Sequence, residues 1–461
     1  VSAEAASGEG ALVGDGSSEL YVAPDAKLHL QDAAAGKTYT VTSGFKKQEI
    51  LGWQGGNLST NSLIDARGEV SDGTFRITTT ALPAAEVLPG SMIPKTLDAL
   101  IAGGSHSVLA SSASILFLSR AVDSLYLPQG QEDRLNEVSR AAVTAGVQNT
   151  SLKVAHAAGE SIEHHLSLGW HDREGVIHRD VLDAWASPMY GNTYTGGLAI
   201  RGGAVRGNYG GVAAGLDSVL GSLWGGDFRL GFAIHGGGGK AHVGGMVTDT
   251  HDSYNFGGFH LYSGWRLGGL NIMAQAGYAV SSHDMKMNLP VSMRMGRIKA
   301  DIDTHALTAA MRLEHAFHAG PVDIIPHAGV RWTALTTEQH DLKIKGEKIN
   351  TVRSDAQNVV QFPVGITLAK DIRIGGWDVK PRLDLNVTPA AGGKKAVTKL
   401  SYAGVDAWDS MRSRVMDSVT YGGLAGVQAS KGSMSFGVDY GIQAGRHERD
   451  QRVRLSFSYK F

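Results

Sequence analysis

Several side chains in this chain carry the functional groups of familiar chemistry, and their spacing decides whether they can act together. His164–His165 offers two imidazoles, the commonest metal-ligating side chain. Adjacent residues on a helix point in different directions, so the pair does not make a chelate. AGKT (35–38) ends like a phosphate-binding loop, but Gln31 stands where that motif needs its first glycine. GDGSS (14–18) lacks the GxSxG spacing of a nucleophile elbow. Asn149 carries an amide able in principle to attack its own backbone, on the strength of a single residue in a helix. A hydrolytic set would need Ser, His and Asp to converge, and His251, His283, His305, His315, His340 and His447 are scattered with no spacing that assigns a partner. No catalytic, cofactor-binding or metal-ligating residue is expected, and the chain is read as a non-enzyme with no cofactor.

The elements that could position side chains are more informative. The last eleven residues, QRVRLSFSYKF, alternate strictly. Val453, Leu455, Phe457, Tyr459 and Phe461 fall on one face, and Arg452, Arg454, Ser456, Ser458 and Lys460 on the other, as successive side chains of a strand must. Such a strand is half buried in a soluble sandwich, or lipid-facing on one side and lumen-facing on the other in a transmembrane barrel. Composition narrows the setting. A formal net charge of −1 gives no electrostatic case for nucleic acid. The 61 glycines suit a β-rich chain with many turns, and the absence of cysteine suits passage through an oxidising compartment. No apolar run reaches the length of a spanning helix; the best lies within Val108–Leu118. The chain opens on Val1 without an export signal and reads as a mature or truncated product.

Alternating segments continue through the C-terminal two-thirds. The periodicity predicts strands at 181–191, 206–220, 226–236, 252–265, 269–282, 304–317, 321–336, 354–370, 376–388, 412–429, 433–445 and 450–461. These are twelve, an even number, and many are long enough to cross a bilayer at a tilt. Connections after the even strands are tight (GSLWG, RLG, HAGP, DIRIGG, KG); those after the odd ones are mostly long, including 283–303, 337–353 and 389–411. Loop length sorted by parity belongs to a barrel with one outer and one periplasmic rim, and neither a sandwich nor a solenoid has a reason for it. In hydrocarbon every backbone polar group must be paired, so the sheet must close. Trp185, Tyr190, Trp265, Trp332, Trp377 and Phe461 near strand ends suit interfacial girdles. A lumen of this size admits one helix.

Upstream, Leu20/Val22, Leu28/Leu30, Tyr39/Val41 and Phe75/Ile77 form short apolar pairs separated by turn residues, and the first three are spaced by about eight to eleven residues, which hints at solenoid rungs. Pro83, Pro89 and Pro94 break up the stretch that follows. From Gln131 the pattern turns helical, with Leu135, Val138, Ala142 and Ala145 at helical spacing and Gly146 and Gly159 interrupting a face of small residues. A slim helix of that kind suits a narrow polar channel. The expected organisation is a short β-solenoid-like stalk remnant over 1–85, a connector over 86–130, a pore-threading α-helix over 131–170 and a mainly β, 12-stranded antiparallel transmembrane barrel over 171–461.

The helix running into DAWASPMYG (183–191), then NYGGVAAGLDSVL (208–220), FRLGFAIHGG (228–237), DSYNFGGFHLYSGW (252–265) and the closing LSFSYKF resemble the translocator of the monomeric type-V (type Va) autotransporters of Gram-negative bacteria. The resemblance covers roughly residues 130–461. It implies a barrel in the outer membrane that exports and displays its own N-terminal passenger, with residues 1 to about 130 on the cell surface. It implies outer-membrane lipid, periplasmic chaperones, the barrel-assembly machinery and the passenger as partners, and no nucleic acid. Lumen-lining cations Arg331, Arg382, Arg452, Arg454 and Lys460 are expected to pair with Glu137, Glu160 or Glu163 of the plug helix, which also carries Asn149. The terminal pattern Leu455, Phe457, Tyr459, Phe461 is expected to be the assembly signal, read by strand addition at a sheet edge. Asn149 lacks the neighbouring asparagine of self-cleaving members. A passive porin, or an outer-membrane barrel hydrolase with its site on the outer loops, are the other function classes.

Overall fold

The computed structural model describes residues 10–30, 33, 35–53, 57–60, 63–87, 93–102, 146–168, 182–197, 203–244, 250–289 and 294–461. Eight short strands come first: β1 (Leu12–Val13), β2 (Glu19–Val22), β3 (Leu28–His29), β4 (Thr38–Ser43), β5 (Lys47–Ile50), β6 (Leu58–Ser59), β7 (Ile64–Ser71) and β8 (Thr74–Ala81). The first three pair in parallel with the next three, β1 with β4, β2 with β5 and β3 with β6. Each set of three is therefore one coil of a solenoid. Leu12 pairs with Thr42, Leu20 with Gln48 and Leu28 with Leu58, so the repeating unit is the whole three-strand coil. The short spacing between apolar pairs is the distance from one side of a coil to the next, not the rung repeat. Val22, Leu28, Val41, Ile50, Phe75 and Ile77 point into the coil and are buried. The β7–β8 hairpin closes it.

Helices α1 (Ala84–Val87), α2 (Pro94–Ala102) and α3 (Val147–Leu166) follow. Gly146 caps α3 in the left-handed conformation, where a side chain would be strained. The helical positions Leu135, Glu137, Val138, Ala142 and Ala145 lie outside the described residues, as does most of the predicted connector.

The remaining strands are β9 (Leu182–Thr195), β10 (Ala204–Leu223), β11 (Gly226–Gly244), β12 (Thr250–Leu267), β13 (Leu270–Asn288) and β14 (Arg297–His315). After them come β15 (Phe317–Ala319), β16 (Val322–Thr337), β17 (His340–Ile344), β18 (Glu347–Ser354), β19 (Gln357–Gln361) and β20 (Val364–Ala369). The chain ends on β21 (Ile372–Ile374), β22 (Trp377–Gly392), β23 (Lys395–Tyr402), β24 (Asp409–Arg414), β25 (Val419–Lys431), β26 (Met434–Gly445) and β27 (Glu448–Lys460). Several are collinear pieces of one stave, and together they make twelve antiparallel staves closed into a barrel by β27 against β9. The amide of Phe461 donates to the carbonyl of Leu182 at 3.0 Å and finishes that seam. Among the described residues no helix is long and apolar enough to cross a membrane; the crossing is made by strands.

The long connections are where the structure departs from expectation. Residues 283–303, 337–353 and 389–411 are mostly strand, not loop: β13 runs to Asn288, β14 starts at Arg297, and β17–β18 and β23–β24 continue the wall. The physical reason is a phase reversal. On β13 the outward residues are apolar from Leu270 to Val280 and then become Ser282, Asp284 and Lys286, while Met285 and Met287 turn inward and are buried. On β14, Leu307, Met311 and Leu313 face outward in the spanning part, whereas Ile298, Ala300 and Ile302 face inward beyond it. The spanning wall is thus apolar outside and polar inside, as lipid and lumen require. Its extension has the opposite polarity, as a water-surrounded barrel requires.

Inward aromatics fit the wall by lying over glycines. A Cβ at Gly231 would overlap the Tyr262 ring, and one at Gly277 would overlap His260. Trp185 belongs to this set. It is 4% exposed and points into the lumen, so it is not part of an interfacial girdle. Phe461, 70% exposed, faces outward at the short-turn rim.

Candidate functional site: the helix-threaded lumen

Helix α3 spans the lumen in a single run from Val147 to Leu166. At the α-helical rise per residue its length is about 30 Å, close to the thickness of the hydrocarbon core. Its first turn meets the extended end of the barrel: Asn149 Nδ2 donates to the carbonyl of Val415 at 2.5 Å, and its Oδ1 accepts from Thr195 Oγ1 at 3.2 Å. Its last turn meets the short-turn end. Asn271 donates to the Leu166 carbonyl at 3.0 Å, Ser167 Oγ to Glu314 at 3.1 Å and the Leu168 amide to Glu314 at 2.9 Å. The helix therefore runs through the lumen from one rim to the other, packed mainly against β9–β14 and β16. Small residues make the approach possible: Ala155, Ala158, Gly159 and Ser161 are all buried, and Gln275 Nε2 reaches the Gly159 carbonyl at 3.0 Å.

The centre is ionic. Arg331 donates to Glu160 at 3.2 Å and to Glu163 at 3.0 Å. Arg452 pairs with Glu160, and Arg454 stands 3.9 Å from the same carboxylate and donates to the Glu160 carbonyl at 3.4 Å. Arg312 lies 4.0 Å from Glu163 and 2.8 Å from Glu314. Charges taken out of water are costly unless paired, and here the pairing crosses from helix to wall. Of the predicted cations, Arg331, Arg452 and Arg454 meet the plug glutamates. Arg382 instead faces Asp439, 3.9 Å away, and Lys460 lies across the seam from Asp183. Glu137 is outside the described residues. A cavity of about 160 Å³ runs beside the helix, lined by Lys153, His156, Glu160, Arg331, Arg452 and Arg454 among others.

Sequence reasoning missed a second set of contacts, made by histidines and aspartates. His164 meets Asp439 on β26 at 2.8 Å, and His165 meets Asp217 on β10 at 2.7 Å, so the neighbouring imidazoles do face different walls. Tyr262 donates to the same Asp217 at 2.7 Å, Trp185 donates to Tyr262 at 2.7 Å, and Trp185 stacks on His165. Lys153 reaches Asp450 at 2.7 Å. His165, Asp183 and Asp217 bring three metal-type donor atoms within 4.8 Å of one another. Arg229, 2.8 Å from Asp217 and 3.5 Å from Asp183, already supplies a positive charge there, which fits an ion-pair network better than a metal centre. The one signal in sequence was Asp217 itself, a lone acid in the small-residue run NYGGVAAGLDSVL.

One cluster has the outline of a hydrolytic relay. Ser151 Oγ is 3.0 Å from His283 Nε2, and His283 Nδ1 is 2.8 Å from Asp252. All three are buried, Thr304 also donates to Ser151 at 2.8 Å, and the Ser151 amide is committed to the helix ladder. An acyl-transfer site needs donors converging on a developing oxyanion, and a serine inside a helix does not have its neighbouring amides free for that. The relay anchors α3 to β12, β13 and β14.

Comparison with known proteins agrees with this geometry. The family model of the autotransporter β-domain matches residues 184–445. Among curated proteins the chain has no match. Similar solved structures include the β-domain of BrkA from Bordetella, 17% identical with a TM-score of 0.44, covering 61% of this chain and 99% of that one. The translocator domain of NalP from Neisseria meningitidis is 10% identical with a TM-score of 0.49, covering 70% and 99%. The transport unit of AIDA-I from Escherichia coli is 15% identical with a TM-score of 0.48, covering 68% and 99%. At these identities and scores the assignment rests on the family match over more than half the chain. This chain belongs to the autotransporter β-domain family, and its closed twelve-stranded barrel is an autotransporter translocator of the outer membrane.

Proposed function

We propose that the extended rim faces the cell exterior and that the chain delivers everything before α3 to that side, leaving α3 in the lumen as a plug. One observation carries the reading: α3 is held rim to rim inside a closed barrel, with its N-terminus at the extended end. Both ends of the barrel chain, Leu182 and Phe461, lie at the rim of short turns, which in such barrels is the periplasmic one. Helix α2 supports the same direction. Its Lys95 and Thr96 amides each donate at 3.0 Å to Asp409, which sits on the extended wall. In this reading the two solenoid coils β1–β3 and β4–β6 are the membrane-proximal end of the passenger, and residues 1 to about 130 lie on the surface.

Outward-facing Leu455, Phe457, Tyr459 and Phe461 support recognition of the last strand by the assembly machinery, after escort by periplasmic chaperones. The barrel itself is read as non-catalytic, because the Ser151 relay is sealed. Labelling of Ser151 by a fluorophosphonate in the folded protein would overturn that. The directional reading is tested by adding protease to intact cells: residues 10–102 are expected to be cut while 182–461 survives. Full protection of the N-terminal segment, with cleavage only after the outer membrane is permeabilised, would overturn it.

A further inference from the structure

The outward faces of the strand extensions carry a row of charge for which export has no use. Following Cα partners across the sheet, Arg449 of β27 faces Tyr194 of β9, which faces Arg206 of β10, then His242 of β11 and His251 of β12. The row continues through Lys286 of β13, Lys299 of β14, Lys343 of β17 and Lys348 of β18. Across nine successive strands this row holds no carboxylate. Its members point away from the lumen, since their neighbours Val205, Val243, Met285, Met287, Ile298 and Ile344 are the buried ones.

Like charges directly opposite each other destabilise a sheet, and Lys286–Lys299, Lys299–Lys343 and Lys343–Lys348 are three such pairs in succession. Some cations have local relief: Lys286 pairs with Asp284, Lys348 with Asp341 at 3.0 Å, and the Arg206 guanidinium lies over the Tyr194 ring. Among the described residues no carboxylate lies within salt-bridge distance of Arg206, Lys299, Lys343 or Arg449. The next row toward the membrane holds Gln451, Asn192, Asn208, Lys240 and Ser253 on the first five strands, and then turns acidic with Asp284 on β13 and Asp301 on β14. On the first five strands the amides, hydroxyl and extra cation suit anions and sugar hydroxyls together, and the two carboxylates that follow can accept from sugar hydroxyls.

The row also climbs. Arg449 is four residues beyond the last outward apolar residue of its strand, Val453, and Lys299 is eight beyond Leu307. At about 3.3 Å per residue and a tilt of about 40°, this is about 10 Å above the apolar band at one end and about 20 Å at the other. Phosphates at the bilayer surface meet only the low end. A partner that follows the row must carry negative charge outward along a chain. We propose that the row binds the phosphate- and carboxylate-bearing sugars of an outer-leaflet glycolipid. The proposal rests on the outward orientation of this rim argued above.

The test uses the full chain in phosphatidylcholine vesicles that also contain either lipopolysaccharide with a phosphorylated core or phosphatidylglycerol at matched charge. Lipid retained per barrel after detergent extraction is measured by mass spectrometry, with and without free inorganic phosphate. Wild type is expected to retain lipopolysaccharide, to retain no phosphatidylglycerol, and to be unaffected by phosphate. Each basic side chain near an anionic surface contributes about fivefold, so R206E/R449E and K299E/K343E are each expected to lose about 25-fold in affinity or more. R206Q/R449Q, with heat-resistant electrophoretic mobility as the check on folding, is expected to lose about 25-fold by the same reckoning. Unchanged retention in the folded variants overturns the proposal. Equal retention of phosphatidylglycerol overturns it in favour of a plain surface-charge effect, and displacement by phosphate in favour of a free-anion site. Orientation is read separately, by labelling K299C on intact cells with an impermeant maleimide; its failure would sink the rim assignment while leaving the vesicle result to stand.

Discussion

Glu160 is the carboxylate of α3 that the most wall cations share. Its carboxylate is shared by Arg331, Arg452 and Arg454, and Arg454 is only 4% exposed. Glu160→Ala would leave three guanidiniums facing each other across the lumen. Removing one partner of a buried pair costs more than the pair contributes, because a buried charge is left uncompensated; with Glu160 partly solvated by the cavity, about 2–4 kcal/mol of helix docking is expected to be lost. Hydrogen exchange of α3 amides should then speed up by about 30-fold or more, with strand amides unchanged. Undiminished protection would show that the remaining anchors of α3, its small-residue packing and the His164–Asp439, His165–Asp217 and Lys153–Asp450 pairs, hold the helix without Glu160. Glu163→Ala should do less, since Arg331 keeps Glu160 and Arg312 keeps Glu314. These partners were legible in sequence: carboxylates on a slim helix and cations on the inward phase of Val322–Trp332 and Gln451–Phe461 have to meet if the helix enters the barrel. His164–Asp439 and His165–Asp217 were not. Which wall each imidazole meets depends on the rotation of α3 within the lumen, and no local pattern encodes that.

At the scale of elements, α2 shows how the N-terminal part is fastened to the barrel. Pro94 suits the first helical position, where its missing N–H costs nothing. The free amides behind it are taken not by a local side chain but by Asp409, far away in the chain on β24, whose Oδ2 also accepts from Thr96 Oγ1 at 2.6 Å. Asp409→Ala removes the cap and is expected to cost about 1–2 kcal/mol locally. In hydrogen exchange the Lys95 and Thr96 amides should lose protection while the barrel keeps its melting temperature; a drop in barrel stability would instead make Asp409 part of the wall's own fabric. The neighbouring hairpin has a pH dependence of known sign. Partial burial raises the Asp341 carboxyl, but hydrogen bonds from Lys348 and Thr351 outweigh it and leave the group below its usual range, so its contribution to β17–β18 is present near neutrality and lost as pH falls. Twelve staves and the parity of their connections could be read because alternation keeps one phase through the apolar band. The extensions could not, because Val280 and Ser282 straddle a reversal: a reader following one phase sees the signal vanish into a loop just where Met285 and Met287 take over the inward face.

For the whole molecule, closure and recognition meet at the last strand, and a single deletion can separate them. Strand β27 pairs with β26 on one side and β9 on the other, and Phe461 adds one backbone bond to Leu182. Its ring is 70% exposed and packs edge-on against Tyr459, with centroids 4.8 Å apart. Removing Phe461 from a finished barrel therefore gives up one exposed hydrogen bond and one aromatic contact, about 1–2 kcal/mol set against a closed ladder of twelve staves. If Phe461 mattered only to the finished state, the deletion would lower the melting temperature slightly and leave insertion alone. If the outward aromatic row is read by an assembly partner through strand addition, the ordering reverses. Insertion in cells should fall severalfold, while protein refolded directly into vesicles closes at nearly the wild-type rate. The comparison is a pulse-chase of heat-resistant barrel in cells set beside refolding in vesicles. Equal rates in cells would remove the recognition role, whereas an equal defect in both settings would place Phe461 in the closure step itself.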